Sequence, residues 1–289
     1  MSDHSFRVAG KTGKGALLVH GLTGAPGEMK YLAKKLHKQG YAVYGPQLAG
    51  HGADQESLLH TTWRDWLDSL REAYESFSRE VDEVYVAGIC VGGALGLELA
   101  AERPEIRAAA VYSMTFEYDG WNMPRIAVAA PVIQTVANLP LVRNMSFEEP
   151  YPFGLKDERL RERVATAPQS FIEGALDRMP MGSLYQMYRL CRHVERIGKD
   201  IRTPTLILHA REDDMSHLRN AYRLRDALGG PVEVGVLEDC YHMIHVDKER
   251  DLVADWTARF FEHARPAPAA AASGRASEAA TGALKPAYV

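Results

Sequence analysis

Glu83-Val84-Tyr85-Val86-Ala87-Gly88-Ile89-Cys90-Val91-Gly92-Gly93-Ala94-Leu95-Gly96-Leu97-Glu98-Leu99-Ala100 is the stretch from which the rest of the chain can be read. Its first part is an apolar run without alternation, the pattern of a strand covered on both faces. Its last part is rich in small and helix-forming residues. Between them, Gly88-Ile89-Cys90-Val91-Gly92-Gly93 leaves room for only a tight reversal. Small residues flank a sharp strand-to-helix turn because the backbones crowd there, and the side chain at its apex is held out over the sheet's C-terminal edge. That residue is Cys90.

The same rhythm extends in both directions. Gly15-Ala16-Leu17-Leu18-Val19-His20 reads as a buried strand ending in His20-Gly21-Leu22-Thr23-Gly24. A helix follows, with Pro26 in its first turn, Met29, Leu32, Ala33 and Leu36 at helical spacing, and Gly40 as the stop. Tyr41-Ala42-Val43-Tyr44 returns as a strand. Trp63, Trp66, Leu67, Leu70, Ala73, Tyr74 and Phe77 then form one apolar stripe, with Thr62 and Asp65 placed to make a capping box. Helical spacing explains these aromatics as core. Ala108 to Met114, Thr203 to His209 and Val232 to Leu237 supply further strands, with helices from about His217 to Leu228 and from Asp247 to about His263. Strands alternating with amphipathic helices make the chain α/β, with a mostly parallel sheet covered on both faces.

From Phe116 to Ile197 the rhythm breaks: proline and aromatic residues are frequent, and helical pieces appear without β-type runs between them. The expected organisation is therefore a core of 1–115 and 198–263, an inserted helical cap at 116–197, and an Ala/Pro-rich disordered tail at 264–289. At 289 residues and 46% hydrophobic content the chain can bury a full core. A net charge of −4 without a long basic run argues against nucleic acid or an anionic membrane surface as partner. The N-terminus lacks the apolar core of a signal peptide and no window is long enough for a stable membrane insertion, so the expected location is cytoplasmic. Cys90, Cys191 and Cys240 are too few and scattered for a disulfide framework, and no CxxC points to zinc.

Nucleophilic catalysis at a strand-to-helix turn needs a base, a carboxylate orienting that base, and backbone donors for the oxyanion. An acid follows the strand ending Leu208-His209, in Ala210-Arg211-Glu212-Asp213-Asp214. A histidine follows the last strand, in Asp239-Cys240-Tyr241-His242. Spacing from His209 favours Asp213 over Asp214, and the chain order of nucleophile, acid and base is that of the α/β-hydrolases. The donors would be the backbone N–H groups of Val91 and Leu22.

His20-Gly21-Leu22-Thr23-Gly24, Leu48-Ala49-Gly50-His51-Gly52 followed by Thr61-Thr62-Trp63-Arg64-Asp65-Trp66, the turn at Cys90, Leu208 to Asp213, and Tyr241-His242-Met243-Ile244-His245-Val246-Asp247 together resemble the bacterial carboxylesterase and monoacylglycerol lipase branch of the α/β-hydrolases, over about residues 14 to 263. The resemblance implies an α/β-hydrolase fold, with Cys90 at the nucleophile position, Asp213 as acid, His242 as base, and Leu22 and Val91 forming the oxyanion hole. Two positions depart from the pattern. Ala210 stands where the family has glycine, and Cys90 stands where it has serine. His242, His245 and Asp247 form an H-x-x-H-x-D string that suggests a metal; with His242 needed as base and no further ligand cluster, neither metal nor cofactor is expected. His20 and His51 are read as loop-structuring, and Cys191 and Cys240 as structural thiols.

A thiol beside an imidazole ionises far more readily than a hydroxyl, with pKa values from the free ~8.5 down to ~3.5–7.5 in favourable sites. The expected reaction is hydrolysis of an acyl ester or thioester through a thioester on Cys90, the partner being a small acyl substrate. The alternative is acyl transfer from Cys90 to a second acceptor substrate on the same fold. A third reading makes the thiol an introduced replacement for serine.

Overall fold

The computed structural model describes residues 3–123, 139–166 and 172–264. The expected tail lies outside them, apart from Ala264, as do 124–138 and 167–171 of the expected cap. The strands are β1 (Phe6–Val8), β2 (Lys14–Val19), β3 (Ala42–Gly45), β4 (Glu83–Ile89), β5 (Ala109–Tyr112), β6 (Ser146–Glu148), β7 (Arg178–Pro180), β8 (Thr205–Ala210) and β9 (Val232–Leu237). The helices are α1 (Lys30–Lys38), α2 (Gln55–Leu59), α3 (Trp63–Phe77), α4 (Val91–Glu102), α5 (Pro140–Arg143), α6 (Glu158–Thr166), α7 (Met181–Ile197), α8 (Arg219–Ala227) and α9 (Arg250–His263).

The main sheet runs β1-β3-β2-β4-β5-β8-β9, all parallel except β1 at its edge. After β2 the chain goes to one side for β3 and to the other for β4, which makes β2/β4 the topological switch point where open α/β sheets carry their sites. Register places Val19 beside Gly88, so the loop after β2, with Leu22, rises next to the turn after β4, with Cys90. Farther along the same edge, Ala210 pairs with Leu237, and the loops carrying Asp213 and His242 leave side by side.

The turn after β4 is held by contacts that only small residues permit. A Cβ on Gly92 would lie 2.4 Å from the Val19 carbonyl oxygen and 2.5 Å from that of His20. One on Gly93 would lie 2.7 Å from Val111 Cγ1. Cys90 itself has φ 50° and ψ −112°, a backbone state that costs a non-glycine residue on the order of 1–3 kcal/mol. Helix α4 is apolar all round rather than on one stripe, because it is buried from Val91 to Ala100 between the sheet, α3 and α7. Gly92→Ala is expected to destabilise the fold by about 3 kcal/mol, because backbone rather than a mobile side chain occupies the space. Urea denaturation of the two proteins checks this.

The capping box of α3 forms as read, Thr62 N–H donating to Asp65 at 2.7 Å. Elsewhere the structure corrects the sequence reading. Strand β1 was not expected, being three residues long and half-exposed. The helix from Pro26 begins as a 3₁₀ turn over Pro26–Met29. Residues 116–197 do contain strands: β6 and β7 pair antiparallel, Phe147 opposite Met179, and Arg178 Nε donates to Ser146 Oγ at 3.0 Å. Helix α7 follows directly, packs against α4 and buries Leu184, Met187 and Cys191.

Candidate active site

Four loops at the C-terminal edge of the sheet converge on one cavity of about 840 Å³. Cys90 and His242 both line it, 5% and 6% exposed. The Asp213 carboxylate meets the His242 ring, with Nδ1 at 2.9 Å from Oδ2 and 3.1 Å from Oδ1. Asp213 is itself fixed, accepting the Met215 N–H at 2.9 Å and the Ser216 N–H at 2.8 Å. Asp214 does different work: it accepts the backbone N–H groups of Gly154 at 3.1 Å and His242 at 3.3 Å. Of the two candidate acids, only Asp213 touches the imidazole. Ser113, at the end of β5, donates its hydroxyl to the His242 carbonyl at 2.6 Å and holds the loop from below.

Burial disfavours a charge on His242, but the Asp213 carboxylate and its hydrogen bond, joined by the Cys90 sulfur, hold the imidazolium well above the ordinary histidine range. Burial likewise opposes a charge on Asp213, and His242 more than offsets it, leaving that carboxyl below the usual range. The Asp214 carboxyl is pushed up to about 6 by burial and by the neighbouring Asp213.

The loop after β2 is built around two neutral histidines. His20 accepts the Leu48 N–H on Nε2 at 3.3 Å, which leaves its Nδ1 to donate to the Gly21 carbonyl at 2.9 Å. His51 lies edge-on to the His20 ring, 4.8 Å between centroids, and its Nδ1 is 3.0 Å from the Ala49 carbonyl. Burial pushes His20 down to about 3 and His51 down to about 4. Leu22 thus follows a segment pinned by His20, and Val91 opens α4 directly after Cys90.

The H-x-x-H-x-D string is pulled apart. The His242 ring lies on Asp213, His245 points toward Glu28, and Asp247 accepts the backbone N–H groups of Lys156, Asp157 and Tyr241. Among the described residues no group of three or more His, Cys, Asp or Glu side chains is arranged to hold a metal. Cys191 and Cys240 are buried away from the cavity lining, their sulfurs 3.3 Å from the Thr115 carbonyl and 3.5 Å from Glu249 Oε2.

The cavity also holds groups that sequence reasoning passed over. Residues of 116–197 line much of it, Tyr118, Phe153, Ile172, Leu176 and Met179 among them. Glu28 and Glu149 reach its wall; Thr23 donates its hydroxyl to Glu149 at 2.7 Å. No Lys or Arg occurs among the described lining residues, whereas Glu28, Asp54, Glu148, Glu149, Glu173 and Asp177 do. Glu148 is paired with Arg178.

Residues 12–249 match the model of the Hydrolase_4 family, described as serine aminopeptidase, S33. The chain is similar to the thermostable monoacylglycerol lipase of Bacillus sp. (strain H-257), 28% identical over 86% of this chain and 90% of that protein. It is also similar to a carboxylesterase of Bacillus subtilis (strain 168), 25% identical over 86% of this chain and 92% of that one. Among solved structures, one of the metagenome-derived lipolytic enzymes LipS and LipT superposes with a TM-score of 0.76 at 22% identity, covering 89% of this chain and 96% of its own.

Proposed function

Because the chain belongs to the Hydrolase_4 family of serine aminopeptidase, S33, type, we propose that it is an acyl-ester hydrolase working through Cys90, His242 and Asp213. One observation carries the reading: a cysteine on a strained strand-to-helix turn shares a buried cavity with a histidine whose far nitrogen is gripped by a carboxylate. The Cys90 sulfur attacks the ester carbonyl, forming an S–C bond, with His242 holding the thiol's proton. The C–O bond to the alcohol breaks as His242 returns that proton to the leaving oxygen. Water then attacks the thioester and gives a proton to His242; the S–C bond breaks, His242 returns that proton to the Cys90 sulfur, and the acid departs. The N–H groups of Leu22 and Val91 receive the oxyanion at both stages. The described residues of 116–197 act as the cap, since Tyr118, Phe153, Ile172, Leu176 and Met179 put apolar and aromatic side chains on the cavity wall.

The lining acids Asp54, Glu173 and Asp177 argue for esters of neutral alcohols, in keeping with the relatives named as a monoacylglycerol lipase and a carboxylesterase. Thioesters carried on a polyphosphate group meet carboxylates and no lining Lys or Arg among the described residues. The kcat/KM for a neutral glycerol or alkyl ester is expected to exceed that for the same acyl group on coenzyme A by at least about tenfold at low salt, with the gap narrowing as salt is added. Equal values for the two would remove the electrostatic basis of the choice. An acyl thioester on Cys90 that persists in water and is discharged only by an added alcohol or amine would replace hydrolysis by acyl transfer.

A further inference from the structure

Glu28 is the buried acid that the proposed reaction leaves unused. It follows the Leu22-Thr23-Gly24 loop in the 3₁₀ turn Pro26–Met29, lines the cavity, and is 4% exposed. Its Oε1 accepts the Gly21 N–H at 2.6 Å, one residue before the Leu22 amide. Its Oε2 lies against Gly24, where a Cβ would come within 2.1 Å, so loop and side chain are fitted to each other.

The groups facing it are His242 and Glu149 across the cavity and His245, whose Nε2 is 3.9 Å from Oε1. None neutralises a carboxylate at this place. His242 is already engaged with Asp213, Glu149 is itself an acid, and burial pushes His245 down to about 3, so that ring is neutral. An ionised Glu28 would set a negative charge behind the loop that has to stabilise a negative oxygen. A neutral acid keeps the hydrogen bond to Gly21 without that charge. Burial, opposed by the Gly21 N–H, reinforced by Glu149 and opposed again by His242, pushes the carboxyl up to about 8.

Resting on the acyl chemistry proposed at Cys90, we infer that Glu28 is a positioning residue: as a neutral acid it holds Gly21 and Leu22 in the donor arrangement, and its ionisation turns the loop against the oxyanion. The test compares wild type, Glu28→Gln and Glu28→Ala on a neutral ester from pH 5 to 10. Glu28→Gln keeps a carbonyl for the Gly21 N–H and cannot ionise. Its kcat near neutral pH should stay within about twofold of wild type, with KM unchanged, and its alkaline limb should move up by about one pH unit or more. Glu28→Ala, lacking the brace, should lose kcat about tenfold or more at every pH, with little change in KM.

Thermal unfolding supplies a readout that catalysis does not enter. A carboxyl whose pKa is raised on folding binds more protons in the folded chain than in the unfolded one, so stability falls as pH rises from the unfolded value to the folded one. The midpoint of Glu28→Gln should therefore gain on wild type between about pH 4.5 and about pH 8 and run parallel to it above. A pH-independent gap, or an alkaline limb unchanged in Glu28→Gln while wild type still forms its Cys90 acyl adduct, overturns the inference alone. Absence of any adduct on Cys90 in wild type overturns the proposed chemistry and the oxyanion role with it.

Discussion

Cys90→Ala is expected to abolish acylation of the chain and to lower ester turnover by about 10³-fold or more, with far-ultraviolet circular dichroism unchanged. Removing the sulfur leaves the cavity, the proposed donors at Leu22 and Val91 and the imidazole in place, so the protein can still bind an ester but forms no bond to it. Intact-mass spectrometry after rapid quenching reads this directly: wild type should gain one acyl group in place of a hydrogen, and Cys90→Ala should gain nothing. Cys191 and Cys240 give an internal control. Burial pushes both of their thiols up, and neither lines the cavity, so a peptide map should place the adduct on Cys90 alone. Cys90→Ser keeps a nucleophile on the same turn and should exchange a thioester that neutral hydroxylamine cleaves for an oxyester that resists it. Turnover that survives in Cys90→Ala would mean that another group attacks the ester and that the turn has lost its role.

The position of that thiol is legible in the sequence because a strand-to-helix reversal leaves a signature in residue size. Gly88, Gly92 and Gly93 are small where backbone or Val111 fills the space that a Cβ would need. Asp213 and His242 were accessible for a related reason, since each follows the end of a strand and parallel strands deliver their loops to one edge. Between Asp213 and Asp214 the sequence offers only spacing; in the structure the Met215 and Ser216 amides hold the Asp213 carboxylate, and it is this one that meets the His242 ring.

Glu28 was invisible for the opposite reason. Met29, Leu32, Ala33 and Leu36 follow a 3.6-residue period, but Pro26–Met29 is wound as a 3₁₀ turn at three residues per turn. Glu28 stands four residues before Leu32, at the edge of that stripe, where an acid in a first turn has the ordinary reading of a partner for the helix N-terminus. Strands β6 and β7, three residues each, are too short to show alternation. Their pairing joins residues about thirty apart in the chain, a relation that local pattern does not encode, and it brings Glu149 to the cavity wall.

Asp213→Asn is expected to cut kcat by about 10²–10⁴-fold while leaving KM nearly unchanged, through the proton on His242 rather than through lost binding. The Met215 and Ser216 N–H groups require an acceptor at the position of Oδ1, so the new amide places its oxygen there and its NH₂ where Oδ2 met His242 Nδ1 at 2.9 Å. Nδ1 then has to accept a hydrogen bond. The ring proton is forced onto Nε2, the nitrogen turned away from position 213, and a neutral ring in that form cannot take a proton from the thiol. Without the carboxylate, burial is opposed only by the Cys90 sulfur and the His242 pKa falls, so any limb of the pH profile set by the imidazolium should move to lower pH.

Stability gives the second check on the same variant, with a sign that a general packing defect would not reproduce. The raised His242 pKa contributes stability that is complete below the unfolded histidine value, near 6.5, and is lost as pH rises through the folded value. The lowered Asp213 pKa contributes stability that is complete above the unfolded carboxyl value, near 3.8, and is lost as pH falls through the folded one. Both contributions are complete together only between about pH 4 and 6.5. There wild type should exceed Asp213→Asn by about 3–5 kcal/mol, on the order of 10 °C in midpoint for a domain of this size, with the gap closing toward acid and toward alkali. A gap that stays constant from pH 4 to 9 would show that the carboxylate serves packing and backbone hydrogen bonds and does not hold a charged imidazole for transfer.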